Sequence, residues 1–103
     1  MRSVLTIVAA VALMPTAAPA AGQGVSNVGR SLAAGCASCH GTNGVSIGEV
    51  ASLAGRPKDE IARKMQDYKA GRVAGTIMPQ LAKGYTDEQI DLLAEWFAAQ
   101  RAK

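Results

Sequence analysis

Histidine occurs once in this 103-residue chain, at position 40, and cysteine twice, at 36 and 39. With no further Cys or His to join them, these residues cannot complete the four-ligand site that structural zinc takes. Aromatic residues are equally few: Tyr68, Tyr85, Trp96 and Phe97. A core this poor in large rings, in so short a chain, wants a staple or a bulky apolar filler. No apolar run reaches the roughly 20 residues needed to span a bilayer. No basic run marks a nucleic-acid-binding face, and no glycine-rich dinucleotide fingerprint is present. Internal repeats and a convincing strand pattern are also missing.

The N-terminus has the organisation of a secretory signal. Arg2 supplies the positive charge, Val4 to Met14 is apolar apart from Thr6, and Ala18-Pro19-Ala20 has the small-x-small pattern of a cleavage site. Cleavage is expected after Ala20, giving a signal peptide over 1–20, a single domain over 21–103, a periplasmic location and no membrane span after cleavage. The alternative is an uncleaved N-terminal anchor. Without Arg2 the chain has ten basic and eight acidic residues, so charge says little about partners.

The mature segment predicts an all-α fold. Val25, Val28 and Leu32 give one apolar stripe on a first helix over about Ser26 to Gly35, which runs into Cys36. Gly41 to Gly55 reads as loop, with room for one helical turn over Glu49 to Leu53. Pro57 suits the first position of a helix ending near Ala70, with Asp59 and Glu60 at its positive end and Gly71 as its stop. Ile61, Met65 and Tyr68 form its apolar face. Gly71 to Tyr85 reads as a second loop, where Pro79 disfavours helix at Met78. Thr86 and Gln89 form a capping box for a last helix over Asp87 to Arg101, with Ile90, Leu93 and Phe97 on one face and Leu92 and Trp96 beside it.

Cys36-Ala37-Ser38-Cys39-His40 carries the chemistry. Two thiols separated by two residues reach the two vinyl groups of a haem and form thioethers, and the next residue is then placed under the iron. Attachment takes place outside the cytoplasm, in agreement with the signal segment. A Cys36–Cys39 disulfide would close too small a loop to stabilise much, and a thioredoxin-like redox pair expects βαβ surroundings. The expectation is one covalent haem c, held by Cys36 and Cys39, with His40 on the iron. The single histidine excludes bis-histidine ligation within the chain. Of the two mature methionines, Met65 lies on an apolar helical face and reads as core filler. Met78, between Ile77 and Pro79, is the expected second axial ligand; a soft thioether there would raise the haem potential. Its alternative is a packed or exposed methionine over an open iron site.

This arrangement, with the attachment motif, a loop, Met78 far downstream and a C-terminal amphipathic helix, resembles class I cytochrome c. Cys39-His40-Gly41-Thr42-Asn43-Gly44, Ser52-Leu53-Ala54-Gly55, Thr76-Ile77-Met78 and the segment from Ala82 to Ile90 resemble, more narrowly, the cytochrome subunit of flavocytochrome c sulfide dehydrogenase in a single-haem form. Relatives of cytochromes c4 and c553 share most of these words. The resemblance implies a class I cytochrome c fold whose first and last helices cross, with Gly29 and Leu32 meeting Leu93, Trp96 or Phe97. Relatives often carry proline before the Ser-Leu-Ala-Gly stretch, and its carbonyl accepts from the iron-binding histidine. Ala51 stands there in this chain, so the carbonyl survives but the rigid φ is lost. Tyr68, Arg72 and Tyr85 are candidate donors to haem propionates, and Lys58, Arg63, Lys64, Lys69 and Lys83 are candidates for the rim of a docking face.

The resemblance implies electron transfer, with no catalytic residues in this chain and electrons arriving from an FAD-containing sulfide dehydrogenase subunit. Val45, Ile47, Val73, Ile77 and Leu81 are candidate contacts for that partner. The alternative is a free soluble carrier, c4- or c553-like, shuttling electrons between other redox proteins. A gas-binding or peroxidatic site would need polar distal groups, and Thr76 to Gln80 offers no histidine or arginine.

Overall fold

A computed structural model of the chain describes residues 4–16 and 21–102. The expected cleavage site lies at residues 18–20, outside the described residues. Residues 4–16 carry no helix or strand, and no described helix is long and apolar enough to cross a membrane.

The described residues are helical, with no strand among them, in accord with the all-α expectation. Five α-helices run in the order α1 (Ala21–Ala33), α2 (Ala37–His40), α3 (Lys58–Lys69), α4 (Met78–Ala82) and α5 (Asp87–Ala98). Short 3-10 segments at Ala34–Cys36 and Thr42–Gly44 flank α2. The helical path from α1 therefore continues, tightened at its middle, as far as His40. Its start at Ala21 is earlier than the sequence indicates. Gly22 and Gly24 weaken a helix by only about 1 kcal/mol each relative to alanine, and propensity is a weak prior.

Helix α5 is the centre of the domain and packs against both α1 and α3. Ile90, Leu93 and Phe97 are buried on it, as their spacing predicts, together with Ala94. Burying each large apolar side chain contributes about 1.5–3 kcal/mol. The capping box is complete: Thr86 N–H donates to Gln89 Oε1 at 2.9 Å, and Gln89 N–H donates to Thr86 Oγ1 at 3.1 Å. The helix stops at Ala98 rather than Arg101 because its last carbonyls find other donors. Phe97 O accepts from Gly55 N at 3.0 Å, and Trp96 O accepts from the Gln100 side chain at 2.8 Å.

The α1–α5 crossing depends on Gly29. A Cβ at that position would lie 2.6 Å from the Leu92 carbonyl oxygen and 3.2 Å from Trp96 Cβ, so the two backbones meet there. The implied crossing of first and last helices is present, but Val28 is corrected as a member of the apolar stripe, and the burial of Val25 lies outside the described residues. Val28 is 49% exposed, Leu32 is partly buried against the core, and among the described side-chain positions of α1 the buried ones are Gly29 and Ala33. A hydrophobicity pattern registers bulky residues and misses a buried glycine.

Helix α3 begins one residue after Pro57, which serves as its N-cap. It ends in a Schellman motif: Gly71 N donates to Tyr68 O at 3.1 Å and Arg72 N to Asp67 O at 2.9 Å. Gly71 takes φ +74° there, a conformation costly for residues with a Cβ. Two loop readings are corrected. Residues 49–53 form no helical turn: the chain bends over 47–50 and is irregular over 51–53. Met78 opens α4 instead of lying in a loop. Pro79 falls in the first turn, where its missing N–H is one that a helix leaves unpaired anyway. The pre-proline restriction disfavours helix at Met78 without forbidding it.

Candidate haem site

A cavity of about 220 Å³ lies between α2, the 51–56 segment, α3, α4 and α5. Leu53, Ile61, Leu93 and Phe97 give it an apolar lining. Cys36, His40 and Met78, three of the four residues singled out from sequence, line it together. Met65 and Tyr68 line it as well. Met65 is also part of the buried core, in keeping with its reading as filler. Cys39 is exposed and lines a separate groove with Val45, Ile47 and Arg101.

The loop after α2 aims His40. Gly44 O accepts from Leu53 N at 2.8 Å and Ala54 N at 3.1 Å, and Ser46 N donates to Ser52 Oγ at 2.9 Å. These bonds fold residues 44–54 back on themselves and place the Ala51 carbonyl beside the imidazole. His40 Nδ1 then lies 2.7 Å from Ala51 O. A carbonyl only accepts, so Nδ1 carries the proton and Nε2 keeps a lone pair for a metal. The alanine at 51 preserves the bond.

Cys36 is partly buried against Tyr85. Burial pushes its thiol pKa up, an effect the Tyr85 hydroxyl partly offsets. The Tyr85 pKa is raised by burial first and by Cys36 second. The Tyr85 hydroxyl also donates to Leu32 O across a long 3.4 Å.

Of the candidate propionate donors, only Tyr68 faces the cavity. Arg72 pairs with Asp67 at 2.9 Å, and Tyr85 does not line the cavity. Of the candidate docking cations, Lys69 pairs with Asp87 at 3.0 Å and Lys58 with Glu95 at 3.9 Å, while Lys64 lines the cavity. Sequence reasoning missed Arg56 and, as a site residue, Glu60. Both line the cavity and pair at 2.7 Å. The available signal was their i, i+4 spacing directly after the Ser52-Leu53-Ala54-Gly55 stretch.

The donor set fits a haem: the Cys36 thiol, an imidazole oriented through Nδ1 and a thioether line one largely apolar cavity, and the Cys39 thiol follows three positions after Cys36. A helical fold built on such a site defines a c-type cytochrome. The profile of the family described as cytochrome C oxidase, cbb3-type, subunit III matches residues 17–97, and the chain belongs to this cytochrome c family. It is 40% identical over 83 residues to the cytochrome subunit of sulfide dehydrogenase of Chlorobaculum tepidum, covering 81% of this chain and 76% of that one. It is 31% identical over 100 residues to cytochrome c-553 of Nitratidesulfovibrio vulgaris, covering 92% of each. The protein is a cytochrome c electron carrier with covalently bound haem c.

Proposed function

We propose that this cytochrome is exported to the periplasm and accepts electrons from an FAD-containing sulfide-oxidising subunit. The observation that carries this reading is the 40% identity to the cytochrome subunit of a sulfide dehydrogenase. In the same proposal Cys36 and Cys39 form the thioethers, and His40 and Met78 are the axial ligands. The haem supplies a one-electron couple. The protein's part is to hold His40 through Ala51, keep the apolar lining of Leu53, Ile61, Leu93 and Phe97 around the cofactor, and fill the remaining axial position with Met78. Filling both axial positions suits electron transfer, because little needs to rearrange when the iron changes charge.

A second reading, a free carrier, is favoured by the match to cytochrome c-553 over 92% of both chains. Size-exclusion chromatography of native periplasmic extract separates the two. Haem co-eluting with flavin, and reduced by sulfide only in that fraction, supports the complex. Haem eluting alone at the mass of one small domain overturns it in favour of the carrier. Intact mass spectrometry tests the attachment: the mature chain should begin at Ala21 and carry one haem, and Cys36→Ala or Cys39→Ala should weaken or abolish covalent attachment.

A further inference from the structure

The segment from Gly44 to Gly55 is fixed at its base and open at its tip. Gly44 is buried, and a Cβ there would lie 2.7 Å from Phe97 Cδ1. Its carbonyl accepts from both Leu53 N and Ala54 N, and Gly55 N donates to Phe97 O at 3.0 Å. These bonds pin residues 53–55 against α5 but do not reach residues 47–51, all of which are exposed. Among the described residues, the backbone N–H groups of Ile47, Glu49, Val50 and Ala51 donate to nothing. Yet Ala51 supplies the carbonyl that lies 2.7 Å from His40 Nδ1. One bond closes this arm across the loop: Ser46 N–H donates to Ser52 Oγ at 2.9 Å, and both serines are half-buried.

We infer that Ser52 is a positioning residue for electron transfer: its hydroxyl, by latching Ser46, holds the Ala51 carbonyl on His40 Nδ1 and so sets the haem midpoint potential. The inference rests on His40 being an axial ligand. A firm N–H···O=C bond at Nδ1 fixes the ring and makes Nε2 a stronger donor. A stronger donor favours the oxidised iron, which carries one more positive charge than the reduced form. The latch therefore keeps the midpoint low. With the latch open, the exposed arm has no other bond across the loop, and the Ala51 carbonyl is free to leave the imidazole.

Midpoint potentials, the near-infrared band and proton exchange of the haem-loaded protein test this together. Ser52→Ala should raise the midpoint and speed exchange of the Ser46 amide and of His40 Nδ1–H several-fold. The band should stay, because Met78 is untouched. The Ser52 carbonyl is held separately by Arg56 Nε at 2.8 Å, so this substitution removes the hydroxyl bond alone. Ser52→Thr keeps an Oγ and should restore the wild-type values. Ser46→Ala loses the contact of its own hydroxyl with Gly48 N but keeps the N–H that Ser52 accepts, so its midpoint should be that of wild type. A wild-type midpoint in Ser52→Ala, the same rise in Ser52→Thr, or an equal rise in Ser46→Ala overturns the inference. If Ser52→Ala does not accumulate with haem, the wild-type protein decides. Its Ser46 amide should then be several-fold better protected, relative to its intrinsic exchange rate, than those of Ile47 and Glu49, and equal protection counts against the latch. The axial assignment is read separately: His40 ring protons shifted by the iron support it whatever Ser52→Ala does, and unshifted ones overturn it and the inference with it.

Discussion

His40 Nδ1 sits 2.7 Å from the carbonyl oxygen of Ala51. This contact spans eleven residues of chain and leaves Nε2 as the imidazole nitrogen with a lone pair to offer. Two methionine thioethers, Met65 and Met78, line the same cavity as His40, and under the proposed ligation one of them completes the iron site.

The first prediction separates Met78 from Met65. The oxidised protein should show the weak near-infrared sulfur-to-iron band of His/Met haem. Met78→Ala should remove it, lower the potential and admit small ligands. Met65 is 7% exposed within the core, so Met65→Ala should keep the band and cost about 2–5 kcal/mol of stability. The reverse assignment of band and stability loss would mean that Met65 is the ligand.

The second prediction concerns the helix crossing. Gly29→Ala places a Cβ 2.6 Å from a backbone oxygen, which cannot yield as a flexible side chain would. Overpacking of this kind costs about 1–3 kcal/mol, against a helix-propensity gain of at most about 1 kcal/mol. The net effect is a lower thermal midpoint. Gly48→Ala, where an added Cβ meets nothing within 4 Å, is the matched control and should be near neutral. Equal midpoints for the two variants would remove the crossing from the account.

A third prediction concerns acid. Hydrogen bonds from Lys69 and then Gln66 hold the Asp87 carboxyl below its ordinary pKa. A depressed folded pKa gives stability that is present above the unfolded value, about 3.9, and is lost as pH falls through the folded one. Wild type should therefore exceed Asp87→Asn in stability at neutral pH, and the gap should close in strong acid. Because Asp87 is 74% exposed, the gap should also shrink with salt. Chemical denaturation across pH measures both effects, and a gap that persists in acid would point to helix capping in place of the ion pair.

Much of this was legible where a local rule has one outcome. The Thr86–Gln89 box, the Ile90–Leu93–Phe97 face and the attachment motif each follow from spacing alone. What stayed illegible depends on what the chain meets at a distance. Gly29 is buried because α5 arrives there, which no apolar stripe records. Arg56 faces the cavity because its guanidinium is tied back to Ser52 O, a bond invisible to composition. Met78 begins a helix because α4 packs on α3, which overrides a local preference at the pre-proline residue.

The last prediction locates the partner contact. Along α4 and its N-cap Ile77, Met78 lines the cavity and Ala82 is 0% exposed, while Ile77 and Leu81, one turn apart, are 52% and 47% exposed. A short helix that is apolar on both sides is expected to have both covered. Of the other candidate contacts, Val45 and Val73 are half-buried, and Ile47, 99% exposed, lines the groove beside Cys39. A lasting complex buries about 800 Å² on each partner, centred on apolar anchors, whereas a transient carrier depends on charge and salt-sensitive encounter. Ile77→Asp and Leu81→Asp should therefore abolish flavin co-elution while leaving haem content and the near-infrared band intact. A matching loss in Ile47→Asp would extend the contact to the Cys39 side. If both α4 variants still co-elute with flavin at the wild-type position, that helix is not the docking face.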